Sequence, residues 1–301
     1  MKTELLAAIE AGGTKFNCAI GTGPDDIRAT ARIATTTPTE TLRDVLEFLQ
    51  QAGKMGTLSA IGIGSFGPVD LSRQSDTYGY ITTTPKEGWK YTDLIGSLTE
   101  LFHAPVGFDT DVNAAALGEY QWGSGVDCNP LVYMTIGTGI GGGVLVNGQP
   151  LHGSLHPEIG HLFIPPIHSA APNPDGICPF HGDCLEGLIS GPAIAARWGA
   201  PAESFEPEHA CWGEFATLMA LGLANLILTL SPQRIILGGG VMHQAQLFPM
   251  IREEVQRMLN GYIQTYELLQ DIDNYIVPPG LGDRAGVLGA MALAKRALKR
   301  G

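Results

Sequence analysis

Three groups of residues in this sequence could do chemistry, and the most specific is the run His161-x16-Cys178-x2-His181-x2-Cys184. Two thiolates and two imidazoles form the donor set of a tetrahedral zinc ion. Gaps of two residues let one loop supply three of the four ligands. His156 competes with His161 for the fourth place on spacing alone. Four protein ligands would close the coordination shell, so the site reads as structural rather than catalytic. Reduced cysteines that happen to lie near histidines would explain neither the spacing nor the lack of regular period between Pro165 and Asp183.

The second group is three glycine turns: Gly12-Gly13-Thr14-Lys15, Gly137-Thr138-Gly139 and Gly238-Gly239-Gly240. Successive backbone N–H groups in such a turn make an anion-binding concavity, and phosphate is the anion that suits it. A single glycine turn would need no such reading. Three of them, with Thr14, Lys15 and Thr138 as polar partners, favour phosphate binding. The string Gly137-x-Gly139-x-x-Gly142 matches the dinucleotide fingerprint in letters but not in context, because a strand follows where a helix should open. No Gly-x4-Gly-Lys-Ser/Thr string is present. The third group is Asp111, placed between a strand end and a helix start. That position suits a general base, and it equally suits an ordinary helix cap.

The elements that must position these groups can be read from the pattern. Leu5–Ile9 and Phe16–Ile20 read as strands around the first glycine turn. Leu42, Val45, Leu46 and Leu49 recur at helical spacing over 39–52. Ala60–Gly64 and Val106–Phe108 read as short buried strands, with a helix over 113–118. Strand Leu131–Ile136 leads into the second glycine turn, then strand Val144–Val146 and an Asn147-Gly148 turn. An apolar helix over 215–230, a strand Arg234–Leu237, a helix from Gln244 and a final amphipathic helix over 285–299 complete the chain. Strands and helices alternate, so the class is α/β. A glycine hairpin at the start of each half suggests a duplicated fold, although no residue-level repeat is visible.

Composition narrows the function classes. Of 301 residues, 18 are basic and 30 acidic, a formal net charge of -12, and no basic stripe of the kind that nucleic acid requires is present. Forty glycines are about twice the ordinary share, clustered rather than periodic. Five scattered cysteines, an odd number, argue for a reducing compartment and hence a cytoplasmic protein. The apolar stretch Phe215–Leu230, interrupted by Asn225, is short for a membrane span and reads as a buried core helix.

Taken together, Glu10-Ala-Gly-Gly-Thr-Lys15, Asp111-Val-Asn-Ala-Ala-Ala-Leu-Gly-Glu119, Thr135-Ile-Gly-Thr-Gly-Ile-Gly-Gly-Gly143, Glu158-Ile-Gly-His161 and Cys184-Leu-Glu186-Gly resemble the ROK family of repressors, open reading frames and kinases. The likeness runs from the first strand to the last helix. The opening Glu-Ala-Gly-Gly-Thr-Lys-Phe, the segment Thr82-Thr-Thr-Pro-Lys-x-Gly-Trp89 and Asp109-Thr-Asp-Val-Asn113 look like its bacterial fructokinase branch. The resemblance implies an actin-like ATPase (ribonuclease H-like) fold of two α/β domains with a ligand cleft between them. The domains would be residues 1–111, joined by the C-terminal helix at about 285–301, and residues 112–284, carrying a zinc loop at about 156–186. It implies ATP phosphates lying on Gly12, Gly13, Thr14, Lys15, Gly137, Thr138 and Gly139, with Gly238, Gly239 and Gly240 near the adenosine. Asp111 falls on the family's catalytic aspartate, and Glu10 would lie near Mg²⁺, one methylene longer than the Asp of many relatives. His161 rather than His156 is the family's zinc histidine. Sugar hydroxyls must be re-bonded when they leave water, and the candidates are Gly64, Ser65, Phe66, Gly67, Asn113, Glu158 and Glu186. Asp109 reads as structural, and Trp89 as a possible wall of the sugar pocket.

The expected activity is therefore transfer of phosphate from ATP to a free hexose, with fructose first among hexoses and fructose 6-phosphate as product. Glucose, mannose and N-acetylhexosamine kinases share nearly every motif. A repressor would carry a helix-turn-helix ahead of the first hairpin, which starts here at Glu10. A non-catalytic sugar sensor fits poorly with intact Asp111 and Lys15. The expected partners are hexose and ATP, with no nucleic acid and no membrane, in a homodimer.

Overall fold

The computed structural model describes residues 4–99 and 102–300, so residues 1–3, 100, 101 and 301 of the expected domains lie outside the described residues. The chain divides into two compact units, one of residues 1–126, 152–156 and 284–301 and one of residues 127–151 and 157–283.

In the first unit, β1 (Glu4–Ala11) and β2 (Lys15–Gly23) form an antiparallel hairpin round the first glycine turn, and β3 (Asp26–Ala34) pairs antiparallel with β2. Helix α1 (Pro38–Gln50) starts at Thr37, whose hydroxyl accepts from the Glu40 amide, with Pro38 in the first turn. It buries Leu42, Val45, Phe48 and Leu49 against the sheet's core. Strands β4 (Thr57–Ser65) and β5 (Val106–Thr110) run parallel to β1, giving the order β3-β2-β1-β4-β5. Helix α2 (Asp111–Trp122) follows β5 directly, capped by the Thr110 hydroxyl, which accepts from the Asn113 amide at 3.1 Å.

The second unit opens with β6 (Leu131–Ile136), the second glycine turn and β7 (Ile140–Val146), an antiparallel pair. Asn147 and Gly148 both take positive φ, 53° and 66°, in the turn to the short β8 (Gln149–Pro150). A 3₁₀ turn at Ile159–His161 leads into the irregular stretch read from the sequence, followed by α3 (Leu185–Ile189), α4 (Gly191–Trp198) and α5 (Ala210–Leu230). Then come β9 (Arg234–Gly238), a 3₁₀ turn at Gly240–His243, α6 (Leu247–Leu259) and β10 (Ile276–Val277). The sheet order is β8-β7-β6-β9-β10, with β6, β9 and β10 parallel. Each sheet is thus a glycine hairpin followed by two parallel strands, in the same order and sense. The duplication suspected from the two hairpins is real at the level of topology. Helix α5 has 21 residues, which in length and composition would suffice to cross a membrane, so it exceeds the 16-residue stretch read from the sequence. It places Trp212, Phe215, Met219 and Leu223 in the second unit's core instead.

The last helix, α7 (Ala285–Arg300), packs on α2 and on β1, β4 and β5 of the first unit. Gly289 meets Ala114 so closely that a β-carbon there would overlap the Ala114 carbonyl, and Gly118 faces Gly289 across the same seam. Part of the glycine excess serves this backbone-to-backbone packing rather than any turn. Because α2 packs on α7, it groups with the first unit. The division into compact units falls after Val126, and residues 152–156 also join the first unit.

Candidate active site

The carboxyl ends of β1, β4 and β5 bring together Glu10, the Gly64–Gly67 segment and the Asp109–Asn113 stretch. The β1 register pairs Glu10 with Gly64, and β4 pairs Gly64 with Asp109. Asp111 heads α2, where its Oδ1 accepts from the Val112 amide at 2.8 Å. Burial first, and the charge of Glu10 second, push the Asp111 carboxyl from 3.8 up to about 6. A base of that strength is ionised at neutral pH yet accepts a proton readily. Glu10 is held by Asn17, whose Nδ2 donates to Oε2 at 2.8 Å. Gly286 leaves room for it, since a β-carbon there would run into the Glu10 carboxylate. Two carboxylates near enough to oppose each other's ionisation form a donor set that suits a divalent cation.

Asn113 is buried, with Nδ2 donating to Asp109 Oδ1 at 2.7 Å. That bond fixes the amide's orientation and leaves Oδ1 a buried acceptor with no hydrogen-bond partner. Such an atom costs about 1–3 kcal/mol until something donates to it, and a sugar hydroxyl would. Asp109 Oδ1 also accepts from the Thr110 amide at 2.8 Å. Ser65 is fully buried and donates to the Phe66 carbonyl at 2.8 Å. Trp89 does not line the site: it has no exposed surface, and its Nε1 donates to the Thr36 carbonyl at 2.9 Å. Its ring packs against Phe16 and edge-on to Phe66, bracing Phe66 from behind. The sequence shows a Trp in a polar segment but not the aromatic pair that buries it.

The first glycine turn closes with the Gly12 amide donating to the Lys15 carbonyl at 3.0 Å. The amides of Gly13 and Thr14 donate to nothing among the described residues. In the second unit the Gly137 amide donates to the Gly139 carbonyl at 2.9 Å, and the amides of Thr138 and Gly139 are likewise uncommitted. Both turns therefore present spare N–H donors, the feature an anion needs. Glu186 stands behind the second turn, where its Oε2 accepts from the Ile140 amide at 2.8 Å. A β-carbon on Gly139 would lie 2.7 Å from that oxygen. One oxygen of Glu186 thus serves the turn, a role the sequence did not indicate. Glu158 is exposed, just ahead of the 3₁₀ turn that carries His161. Gly238 is buried at the end of β9, Gly239 has φ of 91°, and Gly240 is exposed.

His161, Cys178, His181 and Cys184 converge, with one ligand atom from each lying within 4.8 Å of the other three. His161 Nδ1 is 3.4 Å from Cys184 Sγ and 3.8 Å from Cys178 Sγ, and His181 Nδ1 is 3.7 Å from Cys178 Sγ. Zinc bonds of about 2.3 Å to sulfur and 2.05 Å to nitrogen at the tetrahedral angle put N and S about 3.6 Å apart. The cluster has the dimensions of that ion. His156 belongs to the first unit and lies outside the cluster. Cys178 and Gly182 exchange backbone hydrogen bonds, folding the ligands into one knuckle. Behind it, buried Arg197 donates to the carbonyls of Pro174 and Leu188, to Ser169 Oγ and to Glu214 Oε1. This clamp ties the irregular loop to α3 and α5.

A family model described as the ROK family matches residues 6–297. The chain is 43% identical over 297 residues to the fructokinase of Zymomonas mobilis, covering 97% of this chain and 96% of that one. It is 26% identical over 330 aligned positions to the glucokinase of Streptomyces coelicolor, covering 97% and 98%. Among solved structures, the ROK hexokinase from Thermus thermophilus matches with a TM-score of 0.78 at 25% identity, covering 99% of this chain and all of that one.

Proposed function

The chain belongs to the ROK family, and we propose that it is an ATP-dependent hexose kinase that converts free fructose to fructose 6-phosphate. The observation that carries the kinase reading is Asp111: a carboxyl raised to about 6, next to a buried amide oxygen that lacks a donor. Fructose is supported by the gap between 43% identity to a fructokinase and 26% to a glucokinase at equal coverage.

In this reading Asp111 accepts the proton of a fructose hydroxyl while that oxygen attacks the γ-phosphorus. The bond to the β-bridging oxygen breaks, and ADP leaves. Asn113 Oδ1 accepts a second hydroxyl and orients the sugar, with Gly64–Gly67 alongside. Lys15 and the spare amides of Gly13, Thr14, Thr138 and Gly139 offset the phosphate charge without reorganising during the reaction, and Gly238–Gly240 lie near the adenosine. Glu10 and Asp111 supply the carboxylates near which Mg²⁺ would sit, and when bound it neutralises charge on the β- and γ-phosphates. His161, Cys178, His181 and Cys184 would hold a structural zinc, which when bound would fix the loop between Glu158 and Glu186. A homodimer in the cytoplasm belongs to the same reading. Family membership supports the dimer, and five buried cysteines, none of them in a disulfide, support a reducing compartment.

The test is ADP release with ATP and Mg²⁺ over a panel of hexoses at equal concentration. Strong release with fructose and little with glucose is expected. Preference for glucose, mannose or an N-acetyl sugar would keep the chemistry and overturn the substrate. No release with any sugar, from protein that contains zinc, would overturn the kinase reading.

A further inference from the structure

Between β8 and the 3₁₀ turn bearing His161, five residues, His152–His156, belong to the first unit, although the residues on either side belong to the second. They have no regular structure, and none of the site motifs covers His152. Its ring Nε2 lies 3.1 Å from Asp109 Oδ1 and 3.3 Å from Asn113 Nδ2. Since the Asp109 carboxylate can only accept, Nε2 carries the hydrogen and donates to it. In the neutral ring Nδ1 is then a bare acceptor, and it has no hydrogen-bond partner among the described residues. Asp109 thus fixes two side chains at once, each by an N–H, and each is left with an acceptor to spare: Asn113 Oδ1 and His152 Nδ1. The His152 side chain is 38% exposed, while that of Asp109 is 5% exposed. The ring can therefore reach a solute and the carboxylate behind it cannot. At the other end of the segment, the His156 ring lies 3.8 Å from where a β-carbon on Gly67 would stand. Both ends of the segment therefore border residues already assigned to the sugar.

We propose that His152 is a direct ligand of the hexose, with Nδ1 accepting one hydroxyl beside the hydroxyl accepted by Asn113 Oδ1. Asp109 holds the ring in the tautomer that makes Nδ1 an acceptor. The ligand class is a polyol with two neighbouring hydroxyl donors. This inference rests on the kinase reading above and adds a residue to it.

Fructose titration by calorimetry and steady-state kinetics, on the full chain as wild type, His152→Gln and His152→Ala, tests it. Glutamine places an N–H where Nε2 stands and keeps Asp109 bonded, but has no atom in place of Nδ1. A direct ligand raises the fructose Kd and KM about tenfold in both variants. The ATP KM of both, and the thermal midpoint of His152→Gln, stay at wild-type values. A wild-type fructose KM in His152→Gln, with loss in His152→Ala, would mean that the ring only braces Asp109, and the proposal would fall. A rise in ATP KM in step with that for fructose would overturn it too. A wild type that binds no hexose would defeat the kinase reading itself, and that result is visible before either variant is measured.

Discussion

Replacing Asp111 by Asn should stop phosphoryl transfer and at the same time make the protein more stable. The isostere can keep the hydrogen bond that Oδ1 accepts from the Val112 amide, and it replaces the other, ionisable oxygen by a neutral NH2 group. In the folded state that charge is disfavoured by burial and by Glu10, so the carboxyl titrates at about 6 against 3.8 when unperturbed. A gap of about two pH units corresponds to about 3 kcal/mol. The sign follows from proton uptake. Below about 3.8 both states are protonated and nothing is lost. Between 3.8 and 6 the folded state binds more protons, so stability falls as pH rises, and above about 6 the full penalty is present. Asp111→Asn should therefore be more stable than wild type by on the order of 2–3 kcal/mol at pH 8. In thermal midpoint that is about 3–5 °C for a chain of 301 residues, and the gain should fade to near zero by pH 4. Scanning calorimetry of both proteins at pH 4, 6 and 8, without nucleotide, measures it. A variant no more stable than wild type at pH 8, or equally stabilised at pH 4, would refute the argument that the Asp111 carboxylate is disfavoured in the folded state. The same carboxyl makes wild-type kcat/KM climb with pH up to about 6 and level off above it.

Other substitutions test other parts of the site. Gly286→Ala would push the Glu10 carboxylate aside and should cut kcat by about a hundredfold, measured as ADP release, while zinc content is unchanged. Elemental analysis should find about one zinc per chain. Cys178→Ser should lower both the zinc content and the thermal midpoint, and metal-free protein that is folded and active would refute the ligand assignment. Arg197→Ala leaves Glu214 buried without its opposite charge, with only Ser169 and the Ala170 amide among the described residues donating to it, and should cost about 3–5 kcal/mol in urea unfolding. Arg197→Ala, Glu214→Ala together should cost less than the sum of the single changes.

Much of the fold was legible because its signals are local. Strand Leu131–Ile136 falls where its apolar run placed it, and the first two glycine turns sit between the strands they were read between. The Cys/His knuckle was legible because its spacing lies within one loop, and the convergence of His161 on it follows a motif rather than a period. What escaped depends on partners far along the chain. β3 was missed because as an edge strand it is half exposed, so its Ile, Ala and Arg residues show only a weak apolar alternation. Helices α3 and α4 are too short to show a hydrophobic period. The His152 to Asp109 bond spans 43 residues, and the clamp of Arg197 on Glu214 spans 17 across two helices. Trp89 looked like a pocket wall because nothing in its own segment announces Phe16 and Phe66, which bury it.

The packing of α7 on β1, β4, β5 and α2 has a consequence for how the chain is made. Synthesis runs from the N-terminus, yet the first unit's sheet keeps one face uncovered until residues 285–300 have left the ribosome. Nearly all of the second unit's sequence, 127–151 and 157–283, is complete before that. The first unit is therefore the last to close, and the Glu10 carboxylate and the start of α2 gain their packing partners only when Gly286 arrives beside Glu10 and Gly289 beside Ala114. A truncation that removes α7 should therefore disturb the setting of Glu10 and of α2, although no residue proposed for binding or catalysis lies in that helix.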